Sequence, residues 1–131
     1  MPAAPIFSWM TSLADPTRVR ALRLLERQEL SVAELCDVMQ LPQSTVSRHL
    51  KVLGDDGWLA GRRDGTSRFY ALADGLPAAA RRLWSLTREQ VGETGAARSD
   101  EQRLQRALTA RQSRSEAFFA SSAAHWDRLR E

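Results

Sequence analysis

The sequence predicts a mainly α-helical fold that carries one small β-hairpin. Apolar residues recur at helical spacing over most of the chain, and the pair Asp64-Gly65 separates two short extended runs near its middle. Asp-Gly between extended runs is a strong hairpin signal, because a type I′ turn needs positive φ at both central residues. With 131 residues, 43% of them hydrophobic, the chain is long enough for one domain with a core and additional helices.

A helix over residues 41–53 is predicted to have two unlike faces. At about 100° per residue, Val46, Leu50 and Leu53 share one face, which we expect to pack on the core. The remaining surface carries hydroxyls, an amide and cations, which are side chains that reach base edges and phosphates in a DNA major groove. An ordinary amphipathic helix with a solvated polar face has the same periodicity. The candidate DNA contacts on this helix are Gln43, Ser44, Thr45, Ser47, Arg48 and Lys51.

The segments on either side complete a larger motif. Ser31 and Glu34 form a capping box that opens a short helix, and this helix must end before Pro42. Helix, short turn and helix make a helix-turn-helix, whose second helix enters the major groove. The hairpin around Asp64-Gly65 follows directly and is basic, as expected of a wing. Its candidate DNA contacts are Arg62, Arg63 and Arg68.

Further helices are predicted before and after this motif. Residues 6–14 form the first helix, and Asp15 caps a second with Pro16 at its first position, where a missing N–H costs nothing. A later helix covers residues 78–91 and has a broad apolar surface. The basic residues of the second helix are expected to form a solvated face: Arg18, Arg20 and Arg23.

These motifs together resemble the ArsR/SmtB family of bacterial transcriptional repressors. The resemblance rests on Asp15-Pro16-Thr17-Arg18, on the run from Ser44 to Leu50 and on the Asp64-Gly65 hairpin, and it covers approximately residues 7–91. It implies a homodimer with a winged helix-turn-helix in each subunit and double-stranded DNA as a partner. It also implies a metal or small-molecule effector that changes DNA affinity. The first helix and the helix over 78–91 would then pair in a dimer interface containing Trp9, Leu13, Leu83 and Trp84.

The predicted organisation has three parts. Residues 1–91 form the winged helix-turn-helix DNA-binding and dimerisation domain, and residues 92–98 form a linker with two glycines and no apolar period. A C-terminal helical extension covers residues 99–131 and opens at Ser99. Its face begins apolar, weakens, and becomes aromatic near Phe118 and Trp126, which need a partner in this subunit or elsewhere.

The extension carries a second resemblance. The run from Arg114 to Arg130 is similar to the junction in ArsR-type regulators fused to an S-adenosylmethionine-dependent methyltransferase. This resemblance implies a methyltransferase domain as a partner and a metabolite of the adenosylmethionine pathway as a candidate effector. The chain itself has neither a glycine-rich loop after a strand nor an alternating strand–helix pattern.

Metal binding and catalysis are not predicted. The family's paired cysteines correspond here to Ser31 and Ala33, which leaves Cys36 as the only thiol. One thiol with the scattered His49 and His125 cannot build a tetrahedral site within a subunit. His49 is instead expected to have a hydrogen-bonded structural role. No nucleophile–base pair is visible, so neither an enzyme nor a cofactor is expected.

The leading interpretation is a cytoplasmic, homodimeric, sequence-specific DNA-binding regulator, most simply a repressor. The lone cysteine fits a reducing compartment, and no apolar run is long enough to span a membrane. The alternative is a protein-interaction module that positions a partner such as a methyltransferase domain. The basic hairpin and the acid-free surface of the central helix favour DNA.

Overall fold

The computed structural model describes the backbone of residues 5–130 and the side chains of residues 5–121. Trp126 and His125 therefore lie outside the described side chains. In chain order the described elements are α1 (Pro5–Leu13), α2 (Pro16–Arg27), β1 (Leu30–Ser31), α3 (Val32–Met39), α4 (Gln43–Asp55), β2 (Leu59–Asp64), β3 (Ser67–Leu72), α5 (Ala78–Val91) and α6 (Gly95–Arg130). The predicted mainly α fold with a small hairpin is confirmed, and none of the described helices is both long and apolar enough to cross a bilayer.

The helix starts follow the capping signals. The Asp15 carboxylate accepts from the N–H groups of Thr17 at 2.8 Å and Arg18 at 3.2 Å, and Pro16 occupies the first position of α2. At α3 the Glu34 N–H donates to Ser31 Oγ at 3.1 Å, and the Ser31 N–H donates to Glu34 Oε1 at 2.9 Å. Each cap satisfies backbone N–H groups that have no partner inside the helix.

The three strands form one antiparallel sheet in the order β1-β3-β2. The turn at the tip of this sheet differs from the predicted turn. Asp64 pairs with Ser67, so the two loop residues are Gly65 and Thr66 rather than Asp64 and Gly65. Gly65 has a φ of 63°, and among the described residues Gln40 is the only non-glycine with positive φ. Positive φ at the first loop position alone is the type II′ pattern, which spares the β-branched Thr66 a strained backbone.

The core lies between the helix-turn-helix and the helices that surround it. Val46, Leu50 and Leu53 of α4 are at most 3% exposed, as predicted from their spacing. Trp58 is fully buried directly before β2. Burying one valine or leucine side chain stabilises a fold by about 1.5–3 kcal/mol. The stripe of Val46, Leu50 and Leu53 therefore fixes which face of α4 remains in solvent.

Helix α6 adds to this core instead of standing apart from it. Leu104 is 1% exposed, and Ala107 and Leu108 pack against the same cluster. The helix begins at Gly95, ahead of the predicted start at Ser99, because Thr94 Oγ1 accepts the N–H of Ala97 at 3.0 Å. The irregular segment between α5 and α6 therefore covers residues 92–94 only, shorter than the predicted linker over residues 92–98.

The arginines of α2 do not form a solvated face, which corrects the sequence prediction. Arg18 donates to the carbonyl of Ser12 at 2.7 Å and to that of Thr11 at 3.0 Å, at the end of α1. Arg23 donates to the carbonyl of Gly92, directly after α5. Carbonyls at helix ends have no intrahelical donor, and a guanidinium supplies several at once.

A buried ionic cluster ties α6 to the helix-turn-helix. Asp100 is 3% exposed and accepts two hydrogen bonds of 2.8 Å from Arg20 and one of 3.1 Å from Arg103. Arg20 also donates to the carbonyl of Met39 at 3.0 Å, and Arg103 donates to that of Val38. Two cations therefore satisfy this carboxylate, as a buried charge requires, and each guanidinium also donates to a backbone carbonyl of α3.

Candidate nucleic-acid interface

The outer surface of α4 exposes most of the side chains predicted to contact DNA. Thr45 is half-buried, and the other five are exposed: Gln43, Ser44, Ser47, Arg48 and Lys51. Lys51 Nζ lies 3.3 Å from a carboxylate oxygen of Asp55, and both side chains are exposed. Because Asp55 belongs to α4, an acidic residue does stand at the end of this surface, contrary to the sequence reading. Arg48 forms no ion pair with any described residue.

The inner side of α4 is held by polar contacts to α1 and α2. His49 Nδ1 lies 3.4 Å from an Arg18 nitrogen, and because a guanidinium only donates, this ring nitrogen must accept. Burial lowers the pKa of His49, the charge of Asp15 opposes this, and the charges of Arg18 and Arg48 add to the lowering; the net shift favours the neutral ring. Asp56, the residue after α4, accepts from the Ser12 hydroxyl of α1. The hydrogen-bonded role expected for His49 is thus consistent with its position.

The β2–β3 hairpin, hereafter the wing, presents its arginines on two opposite faces. Side chains alternate across a strand, and residues directly opposite each other share a face. Arg63 pairs with Arg68, whereas Arg62 pairs with Phe69. Arg63 and Arg68 therefore lie on one face of the wing and Arg62 on the other, although the sequence grouped all three.

The Arg63/Arg68 face is open and basic. Both arginines are exposed, and neither forms an ion pair within the described part of the chain. The Arg68 guanidinium lies over the Tyr70 ring at 5.6 Å and crosses the position of Gly61, where a Cβ atom would be 3.4 Å from Arg68 Nε. Gly61 thus leaves room for Arg68 to lie along the sheet.

The Arg62 face is occupied by an internal partner. Arg62 Nε lies 2.9 Å from both carboxylate oxygens of Glu29, and Nη2 lies 2.6 Å from Oε1. The Arg62 guanidinium also lies over the Phe69 ring at 4.9 Å. The hydrogen bonds from Arg62 lower the pKa of Glu29, so this carboxylate is charged at neutral pH. Sequence reasoning missed Glu29 because 33 residues separate it from Arg62 and no local motif links them.

The four residues predicted for a dimer interface differ in exposure. Leu13 is 8% and Trp84 is 2% exposed, so both belong to the core of a single protomer. Trp9 and Leu83 are half-buried. The exposed large apolar side chains of α1 and α5 are instead Ile6, Phe7, Met10, Leu86 and Val91.

No cluster of metal ligands occurs among the residues whose side chains are described: no group of three or more His, Cys, Asp or Glu side chains could hold an ion. Cys36 is half-buried on α3. Burial, and secondarily the charge of Asp37, raise the pKa of the Cys36 thiol, which disfavours the thiolate that metals and electrophiles require.

A cavity of about 390 Å³ lies between α2, α5 and the start of α6. Its volume falls in the range of about 300–1,000 Å³ that is usual for small-molecule sites. Most of its charged lining is already paired, through Arg20–Asp100, Arg27–Glu101 and Arg88–Glu26. The small-molecule effector therefore stays a prediction.

A helix-turn-helix built from α3 and α4 and followed directly by an antiparallel hairpin defines a winged helix-turn-helix protein. Residues 15–59 match the family model described as bacterial regulatory protein, arsR family. The chain is 37% identical over 84 residues to the arsenical resistance operon repressor of Escherichia coli, covering 60% of this chain and 72% of that protein. The chain belongs to the ArsR family of bacterial regulatory proteins.

Two further comparisons extend this assignment. The transcriptional repressor SmtB homolog of Synechocystis sp. is 38% identical over 72 residues, which cover 55% of this chain and 54% of that protein. The chain therefore spans about half the length of that relative. The homodimeric winged helix-turn-helix DNA-binding domain of Mb0332 from Mycobacterium bovis superimposes with a TM-score of 0.56 and 28% identity, covering 66% of this chain and 76% of that domain.

Proposed function

We propose that this chain is a sequence-specific DNA-binding transcriptional repressor that acts as a homodimer. The observation that carries the proposal is the joint exposure of Arg48 on α4 and of Arg63 and Arg68 on one face of the wing, none of them paired with a described carboxylate. Two relatives support it, since the SmtB homolog of Synechocystis sp. and the arsenical resistance operon protein of Escherichia coli are both named as repressors. The Mycobacterium bovis domain, which is DNA-binding and homodimeric, supports it as well.

Base recognition is assigned to α4. Arg48 stands near the middle of its exposed surface, with Ser44 and Ser47 one turn or less away. An arginine can hold a guanine edge through two hydrogen bonds, worth about 1–3 kcal/mol of discrimination against other bases. The short serine side chains allow the helix backbone to approach the groove closely. Lys51 is assigned a weaker role because its ammonium lies beside the carboxylate of Asp55 in an exposed ion pair.

Backbone contacts are assigned to the Arg63/Arg68 face of the wing. Contacts of this kind are mostly with phosphate and carry little sequence information. Arg62 is left out of the proposed contact set, because DNA would have to displace Glu29 from a bidentate ion pair with Arg62, on the face of the wing opposite Arg63 and Arg68. The wing arginines proposed to contact DNA are therefore Arg63 and Arg68, whereas the sequence prediction also included Arg62.

The proposed dimer joins α1 and α5 of two protomers. These helices expose large apolar side chains, which a second copy would remove from water, and Trp9 and Leu83 on the same helices are half-buried. Two recognition helices in a symmetric dimer meet half-sites about 34–36 Å apart. The operator should therefore be an imperfect palindrome.

The test is to footprint the region upstream of the gene and then measure affinity for that duplex and for a scrambled one. Arg48→Ala should weaken operator binding by about tenfold or more and weaken scrambled binding much less. Arg63→Ala should weaken both duplexes about equally and reduce the salt slope by about one unit. Arg106→Ala, an exposed arginine of α6, is the matched control and should change neither. Equal losses on both duplexes for Arg48→Ala would exclude base recognition by α4.

A further inference from the structure

Arg111 of α6 reaches from the additional helix to the base of the wing. Its Nε lies 2.9 Å from Glu34 Oε2, and its Nη2 donates to the backbone carbonyl of Glu29 at 3.1 Å. The Arg111 side chain is 33% exposed and that of Glu34 is 13% exposed, so this contact is partly shielded from water. One arginine thereby joins α6 to the start of α3 and to the residue that precedes β1.

The same arginine lies over the wing itself. The Arg111 guanidinium is 5.8 Å from the centre of the Phe69 ring, and the Arg62 guanidinium is 4.9 Å from the same ring. Arg62 is bound to the side chain of Glu29, and Arg111 is bound to its carbonyl. A continuous chain of contacts therefore runs from α6 through Glu29 and Phe69 to β2, and each link is a hydrogen bond or a cation–π contact.

The wing is supported only at its base. A two-stranded hairpin alone is marginally stable in water. Here Leu59, Tyr70 and Leu72 at the base pack against the core, and β1 adds two residue pairs with β3, Leu30 with Tyr70 and Ser31 with Phe69. Every residue from 60 to 68 is exposed. The direction of the wing is therefore set at its base, where Phe69 meets Arg62 and Arg111.

We propose that Arg111 is a positioning residue for the wing, holding the hairpin so that Arg63 and Arg68 face the DNA backbone. The inference rests on the proposed DNA-binding function and adds to it. Arg111 lies beyond residues 15–59, the segment that matches the family model, so DNA affinity in this chain depends on a helix outside that segment. Arg111 itself makes no contact with DNA in this proposal.

The first experiment measures amide hydrogen exchange in the free protein. Arg111→Gln should speed exchange across residues 59–72 several-fold and leave α4 unchanged, because Arg111 contacts the base of the hairpin and the start of α3 but not α4. Arg106→Gln, on an exposed position of the same helix, is the control. Phe69→Leu keeps an apolar side chain but removes the ring, and should change exchange in the same direction. Equal exchange in the Arg111→Gln and Arg106→Gln proteins would overturn the inference, whether or not the chain binds DNA.

The second experiment measures affinity for the upstream duplex. Arg111→Gln should weaken binding by about three- to tenfold, a range typical of coupling between contacting groups. In a protein that already carries Arg63→Ala and Arg68→Ala, the same change should have almost no further effect. A full additional loss in that background would show that Arg111 acts on DNA directly and would refute the positioning role. If Arg63→Ala and Arg68→Ala leave DNA affinity unchanged, the proposed wing contacts are wrong. The exchange experiment would still show whether Arg111 supports the hairpin.

Discussion

Replacing Leu104 by alanine tests whether α6 is part of the folding core. Leu104 is 1% exposed and packs in the cluster that also contains the buried leucines of α2 and α3. Truncating a buried leucine to alanine removes its transfer free energy and leaves a cavity, at a total cost of about 2–5 kcal/mol. The half-buried neighbours Ala107 and Leu108 are too small or too exposed to fill the space. We therefore expect Leu104→Ala to lower the free energy of unfolding by about 3 kcal/mol.

The assay is urea unfolding followed by circular dichroism, at one fixed protein concentration because the stability of a dimer depends on concentration. Gln105→Ala, at the exposed neighbouring position, is the control and should change stability by less than about 0.5 kcal/mol. If Leu104→Ala lowers the free energy of unfolding no more than Gln105→Ala does, α6 does not pack on α2 and α3. The extension would then be a helix that adds little to the stability of the winged helix-turn-helix.

Three further predictions concern the ends of the helices and one carboxylate. Deleting residues 112–131 should leave the fold, the dimer and DNA affinity near normal. The described side chains from 112 onwards are exposed, and Arg111 and the contacts before it remain. Gel filtration and binding measurements check this. Phe7→Glu should dissociate the dimer in sedimentation experiments, while Phe118→Glu, an equally exposed change on α6, should not; the opposite result would move the interface to α6. Burial alone would raise the pKa of Glu34, but hydrogen bonds from Arg111 and from the helix cap outweigh it and lower the pKa below its ordinary value of 4.5. The stabilisation from this carboxylate is therefore complete above about pH 4.5 and is lost as pH falls through the folded-state pKa. Glu34→Gln should flatten the acid side of the plot of unfolding free energy against pH. An unchanged plot would contradict this reasoning.

Local signals in the sequence were enough to predict most of the fold. A cap needs only a few neighbouring residues, and for this reason Asp15 and the Ser31/Glu34 box mark their helices correctly. The buried stripe of α4 follows from periodicity, which depends on a single helix. The exact hairpin turn was missed by one residue, because an Asp-Gly pair can place Gly65 at either central position and only the strand register decides between them.

The pairing of the arginines could not be predicted, because it depends on distant residues. Arg62 and Glu29 are 33 positions apart, Arg111 and Glu34 are 77 apart, and Arg20 and Asp100 are 80 apart. A charged residue in a helix has the same local pattern whether it faces solvent, DNA or a buried carboxylate. Only the tertiary packing, of α6 on α2 and α3 and of the wing beside Glu29, shows which arginines are already engaged.

This pairing sets a measurable limit on the electrostatic part of DNA binding. Of the cations assigned to DNA from the sequence, Lys51 and Arg62 have acidic partners, which leaves Arg48, Arg63 and Arg68 unpaired among the described residues. Arg48 is assigned to base edges, so on a scrambled duplex a dimer would offer four phosphate-contacting cations, Arg63 and Arg68 of each protomer. At about 0.9 per phosphate contact, the logarithm of the binding constant should fall with the logarithm of salt with a slope of about −4. If Lys51 and Arg62 also gave up their partners to bind phosphate, the slope would approach about −7. Titrations of a scrambled duplex between low and physiological salt distinguish the two values, and a slope near −7 would show that the ion pairs of the free protein open when DNA binds.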